Sequence, residues 1–158
     1  MTDPTSARTA ASPREVVERV HRLAMDYDLS GQADLYAPDG VLEWPFAPAG
    51  VPRRIQGRER IRGVLETLGE KVRQAGTRLT GFNVDVVHET LDPEVVIVEL
   101  EVHGEVAATG STYQLPYIQV FRVRDGQILS FRDYFTPGTG AVLEAAFRSM
   151  PTPADHPA

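Results

Sequence analysis

The spacing of apolar residues changes character partway along this chain. In the first half, Val16, Val17, Val20, Leu23 and Ala24 recur at three- and four-residue intervals, the period of a helix with one buried stripe. With Ser12-Pro13 as a cap and a pre-set first turn, this pattern predicts a helix over about residues 13–27. A short helix is expected over about 30–36, then a strand over 41–46 in which Leu42, Trp44 and Phe46 alternate with Val41 and Glu43. Residues 45–57 are rich in Pro and Gly and carry Arg53-Arg54, so they read as a loop. Ile61, Val64, Leu65 and Leu68 mark an amphipathic helix over about 58–73.

From there the period falls to two. Phe82, Val84 and Val86 alternate with Asn83 and Asp85 in a strand over 80–89. After a turn at Asp92-Pro93, Val96, Val98, Leu100 and Val102 take one face of a long strand over 94–106, and Glu99, Glu101 and His103 take the other. Pro116 interrupts the next strand pattern and marks a bulge or an edge where the sheet bends. A last helix, over about 139–150, carries Val142, Leu143, Ala146 and Phe147. Helices first and a meander of long strands afterwards predict an α+β fold, with helices on one face of a curved antiparallel sheet. One domain over 1–158 is expected, with an ordered core at about 14–150 and loose tails at 1–12 and 151–158.

The segment from Tyr113 to Pro137 holds the most chemistry. Arg124-Asp125-Gly126-Gln127 is a hairpin turn signal, and two registers compete. A two-residue turn at Asp125-Gly126 sets Ile118 opposite Asp133, whereas a three-residue turn with Gly126 left-handed sets Tyr117 there. The second is preferred because it gathers Tyr117, Gln119, Phe121, Val123, Leu129, Phe131, Asp133 and Phe135 on one face. Arg122, Arg124, Ser130 and Arg132 fall on the other. Asp133 is then a carboxyl on an aromatic, mostly buried face. Burial without a cationic partner raises a carboxyl pKa and suits it to proton transfer near neutral pH.

Composition narrows the function classes. A net charge of −6 argues against a nucleic-acid or anionic-membrane partner. The first residues lack the apolar core of a secretory signal, and no apolar run approaches a span of roughly 20 residues. The 158 residues include no cysteine, which excludes disulfides, thiol catalysis and cysteine–metal sites. A cytoplasmic protein is expected.

Several segments resemble a known superfamily. They are Asp28-Leu-Ser-Gly31, Leu35-Tyr-Ala-Pro-Asp39, Glu43-Trp-Pro-Phe46, Ile55-Gln-Gly-Arg-Glu-Arg-Ile61, and the ending Phe121-Arg-Val-Arg-Asp-Gly-Gln-Ile128 with Phe131-Arg-Asp-Tyr-Phe135. Over about residues 14–150 the chain resembles the nuclear-transport-factor-2-like superfamily and, within it, the SnoaL-like polyketide cyclase group. The resemblance implies a cystatin-like α+β barrel: a cone of bent antiparallel sheet wrapped by N-terminal helices around a deep apolar pocket. It also implies homodimers through the outer sheet face.

In SnoaL-like cyclases and limonene-epoxide hydrolases an aspartate of the last strand is the acid/base, and Asp133 resembles it. Other family chemistries find no match. The Arg-x-Asp pair of the epoxide hydrolases falls on Leu100-Glu101-Val102, and their first-strand Tyr and Asn fall on Leu42 and Trp44. The ketosteroid isomerase base falls on Trp44 and its oxyanion tyrosine on Val20. His88 to Pro93 and Glu99 to Gly104 are similar to the phenazine-biosynthesis A/B proteins, but their helix histidine falls near Val64.

The leading expectation is a cofactor-independent enzyme with no metal. Asp133 moves a proton on an apolar, carbonyl-bearing small molecule, in cyclisation, isomerisation or dehydration, with secondary metabolism as one setting. Trp44, Phe46, Phe82, Leu100, Phe131 and Phe135 form the apolar substrate walls, while Tyr117 and Gln119 supply polar contacts. A non-catalytic ligand-binding or dimerisation module is the rival reading, and epoxide hydrolysis a further one. Glu99, Glu101 and His103 read as an outward strand face rather than a metal site. Arg53-Arg54 reads as a solvated pair, His88 as a strand end, and His21 as either a pocket or a surface residue.

Overall fold

The computed structural model describes residues 9–148. Four helices and six strands follow in the order α1 (Pro13–Met25), α2 (Leu29–Asp34), β1 (Tyr36–Glu43), β2 (Arg54–Gln56), α3 (Arg58–Gln74), β3 (Thr77–Glu89), β4 (Val95–Val106), β5 (Ser111–Arg124), β6 (Gln127–Tyr134) and α4 (Pro137–Arg148). The strands form one curved, unclosed sheet in the order β2-β1-β6-β5-β4-β3. Every ladder is antiparallel except that of β1 with β6, where the first strand lies parallel beside the last.

Local chemistry sets the boundaries of α1. Ser12 and Glu15 exchange a reciprocal pair of bonds, Ser12 N–H to Glu15 Oε2 at 2.7 Å and Glu15 N–H to Ser12 Oγ at 3.3 Å, and Pro13 occupies the first turn. The stripe Val16, Val17, Val20 and Ala24 is buried, and His21 is buried with it. The helix stops two residues earlier than its apolar pattern predicts, because Tyr27 turns left-handed (φ 56°) and Asp28 caps α2 by accepting from Gly31 N–H. The tail expected over 1–12 is also shorter at its inner end. Ser12 caps a helix and Ala11 packs against the core, while residues 1–8 and 149–158 lie outside the described residues.

Three further expectations are corrected. Tyr36 starts β1 instead of ending α2, and it is buried. The first strand ends at Glu43, not at position 46, because Pro45 has no N–H to extend a ladder. The loop expected over 45–57 contains β2, where Ile55 pairs with Leu42 and Arg54 holds Glu43 at 2.9 Å.

The closing hairpin follows neither expected register. Asp125 and Gly126 both have positive φ (51° and 74°), the two-residue turn whose twist matches the strands, so Arg124 faces Gln127 and Val123 faces Ile128. Leu129 is then an extra residue. The register shifts by one at this bulge, Arg122 faces Ser130, and Gln119 faces Asp133. A bulge restores the alternation that the short turn would otherwise invert. The inner face therefore keeps Tyr117, Gln119, Phe121, Val123, Phe131 and Asp133, with Ile128 in place of Leu129. Pro116 pairs with Glu101 without a break, in the part of β5 that β6 does not reach, so it marks an edge.

The inner face divides lengthwise. Toward the hairpin, Val96, Val98, Leu100, Phe121, Val123 and Ile128 are sealed, with Phe121 stacked on Phe131 at 4.1 Å. Each such burial contributes about 1.5–3 kcal/mol. Toward the far end of β4 and β5 the same face opens into a hollow.

Candidate active site

The hollow is a cavity of about 290 Å³ between the sheet and helices α1, α2, α3 and α4. Val20, Ala24, Leu68, Leu79, Phe82, Val102, Leu115, Phe131 and Leu143 supply apolar walls. The polar groups on its wall come from His21, Tyr27, Gln32, Thr77, Tyr113, Tyr117, Gln119, Asp133 and Thr139. Gln32 is committed to the Val20 carbonyl at 2.9 Å. No lysine or arginine lines the cavity, and Asp133 is its one carboxyl group, among the described residues. Such a hollow fits a neutral, largely apolar molecule.

Asp133 keeps some accessible surface, because it lines the cavity, while its carboxyl is enclosed by protein. That enclosure pushes its pKa up to about 7, since the charged form loses hydration, and the Gln119 N–H bond at 3.2 Å only partly opposes the rise. Burial also raises the phenols of Tyr36 and Tyr117, and the nearby Asp133 charge raises both further. The Tyr117 hydroxyl is 2.6 Å from Thr139 Oγ1 in α4, so it braces the wall beside the acid instead of bonding to it.

The residue order leaves His21 open between pocket and surface, and the structure places it in the cavity wall. Its Nε2 is 2.8 Å from Gln119 Oε1, and its ring stacks on Phe82 with centroids 5.3 Å apart. An amide oxygen only accepts, so Nε2 carries the proton. Burial lowers the His21 pKa against the opposing Gln119 bond, which favours a neutral ring. The signal was present in the helical period, because His21 stands four positions beyond Val17 on the buried stripe.

Of the residues expected to contact substrate, Phe82, Tyr117, Gln119 and Phe131 line the cavity with Asp133. Four do not. Trp44 is core, packed edge-on against Phe135 (6.5 Å) and Phe147 of α4 (5.9 Å). Phe135 is sealed beside it, and Leu100 is buried in the closed part of the sheet. Phe46 is 67% exposed and lies edge-on to Tyr134, because the strand that was to carry its alternation ends before Pro45. On the outward face, His88 meets Glu99 at 2.6 Å and His103 meets Glu101 at 3.4 Å. No group of three His, Cys, Asp or Glu residues is placed to hold a metal ion among the described residues. Likewise, no helix among them is long and apolar enough to cross a membrane.

A curved, unclosed sheet with helices packed over an apolar hollow places the chain among small pocket-bearing α+β proteins, the nuclear-transport-factor-2-like fold. The chain belongs to the SnoaL-like domain family, whose pattern matches residues 17–131. It is similar to an uncharacterized PhzA/B-like protein of Pseudomonas aeruginosa, 38% identical over 125 residues that cover 78% of this chain and 84% of the relative. Among solved structures it resembles a Bacillus subtilis protein provisionally called an isomerase (TM-score 0.69, 29% identity, 87% of this chain and 94% of the other). The fold alone is shared with an NTF2-like protein of unknown function from Burkholderia pseudomallei (TM-score 0.61, 20% identity, 84% and 97% covered).

Proposed function

We propose that the protein is a SnoaL-like enzyme in which Asp133 shuttles a proton on an apolar, carbonyl-bearing small molecule, giving cyclisation, isomerisation or dehydration. The observation that carries this reading is a carboxyl, solitary among the described residues of an apolar cavity, with its pKa pushed up to about 7. A group that is half ionised near neutrality can take a proton and return it with little bias either way. Phe82, Phe131 and Val102 exclude water and hold the substrate, and Gln119 steadies the carboxyl. General acid–base action of this kind contributes about 10²–10⁴ in rate, and orientation by the walls supplies the rest. Epoxide hydrolysis lacks support, because no arginine lines the cavity among the described residues.

Once a substrate is in hand from a panel of cyclic ketones and polyketide-like carbonyl compounds, Asp133→Asn should lose at least about 10²-fold in kcat with the fold intact. Full turnover by that variant would refute the assignment. The rival reading, a binding module without chemistry, predicts instead that the variant holds the same ligands and that the unaltered protein yields no product. We also propose that the outer sheet face, where Val86 and Ile118 are 42% and 47% exposed, pairs two copies of the chain.

A further inference from the structure

The His21–Gln119–Asp133 chain joins α1 to the last two strands, with His21 and Gln119 98 residues apart in sequence, and all three side chains line one cavity. Of these, His21 and Gln119 are 7% and 5% exposed. A glutamine amide has a broad, nearly two-fold terminal torsion, so its hydrogen-bond partners decide which end points where. We propose that His21 is a positioning residue, whose Nε2–H locks the Gln119 amide in the one orientation that aims its N–H at the Asp133 carboxylate.

Donors and acceptors decide the orientation of the amide. With the His21 proton on Nε2, the amide oxygen must face the ring and the amide nitrogen must face the acid. Flipping the amide would let Gln119 accept a proton from a neutral Asp133, but it would set an N–H against the N–H of His21 in a buried site. His21 therefore disfavours the arrangement that suits the protonated acid and selectively supports the ionised base. The stack on Phe82 holds the ring for this purpose. The other titratable groups near Asp133 are Tyr36 from β1 and Tyr117 from β5, both phenols driven toward the neutral form, and α4 contributes only the uncharged Thr139. No cation lines the cavity to override the amide among the described residues. This inference rests on Asp133 being the acid/base.

The test is an NMR titration of the Asp133 carboxyl carbon, with the His21 ring nitrogens read in the same isotope-labelled full-length protein. In the unaltered chain His21 carries its proton on Nε2. His21→Phe keeps an aromatic ring over Phe82 but removes the donor, and it should raise the Asp133 midpoint by about one unit. Gln119→Met should raise it at least as far. The double variant should rise no further than Gln119→Met alone, because His21 acts only through the amide. An unmoved midpoint in His21→Phe, additive shifts in the double variant, or a proton on Nδ1 in the unaltered chain would each overturn the proposal. Should His21→Phe fail to fold, the Nε2 or Nδ1 assignment in the unaltered protein still decides. A wild-type Asp133 that titrates in the ordinary carboxylate range would defeat the acid/base role while leaving the ring tautomer and the His21→Phe displacement readable, so the two failures are distinct.

Discussion

The two ends of the inner sheet face follow the same alternation of apolar residues and reach opposite results. Near the hairpin, Val98, Phe121 and Ile128 have no accessible surface. A few residues along the same strands, Val102, Tyr117, Gln119 and Asp133 surround a hollow. What separates the two regions is how completely the helices fill the space above them. At the sealed end Phe131 stacks on Phe121 within the sheet, and Val16 and Val17 of α1 are buried in the same core cluster. At the open end Val20, Leu68 and Leu143 of α1, α3 and α4 line the space without filling it. A strand pattern specifies that a face is covered, and the placement of the covering helices decides whether the space beneath is core or pocket.

Substitutions can break or sharpen this contrast. The largest effect is expected at the sealed end, where Phe121→Ala should destabilise the fold by about 3–5 kcal/mol in denaturant unfolding. Phe82→Ala, on the wall of an existing hollow, should lose markedly less. Equal losses at the two sites would erase the distinction between the regions.

A smaller effect of opposite sign is expected at Asp133. Its folded pKa is raised to about 7 from an ordinary value of 3.8, so the stability this group contributes is complete below the ordinary value and is lost as pH rises through about 7. Asp133→Asn removes that loss. Its melting temperature should exceed that of the unaltered chain at about pH 8, equivalent to roughly 2–4 kcal/mol, with the gap closing by about pH 4. A pH-independent gap would mean that the carboxyl is not held in an apolar site. The smallest effect on folding belongs to the outer face. Ile118→Lys should change stability by no more than about 0.5 kcal/mol yet halve the solution mass measured by light scattering, if that face pairs two copies.

Much of the fold was legible because its signals are local. The Ser12-Pro13-Glu15 cap, the α1 stripe and the alternation of β4 act between near neighbours in sequence, and each element formed close to where those signals placed it. The inner position of Asp133 was legible too, even though both expected registers were wrong, because the bulge at Leu129 preserves the face that the alternation demands. Phe46 was misplaced for the converse reason, because its alternation was extended past Pro45, where no partner strand remained to enforce it. Trp44 kept its buried position, but Phe135 and Phe147 of α4 cover it, so it is core and not cavity wall.

Period and turn chemistry thus wrote the helices, the strands and the inward aim of the acid into the order of residues, since each depends on groups only a few positions apart. The parallel seating of β1 beside β6, the seating of the helices that leaves a cavity over one end of the sheet, and the meeting of His21 with Gln119 belong to the assembled chain. They bring together segments up to about 98 residues apart, and no local preference of either segment encodes the other's position.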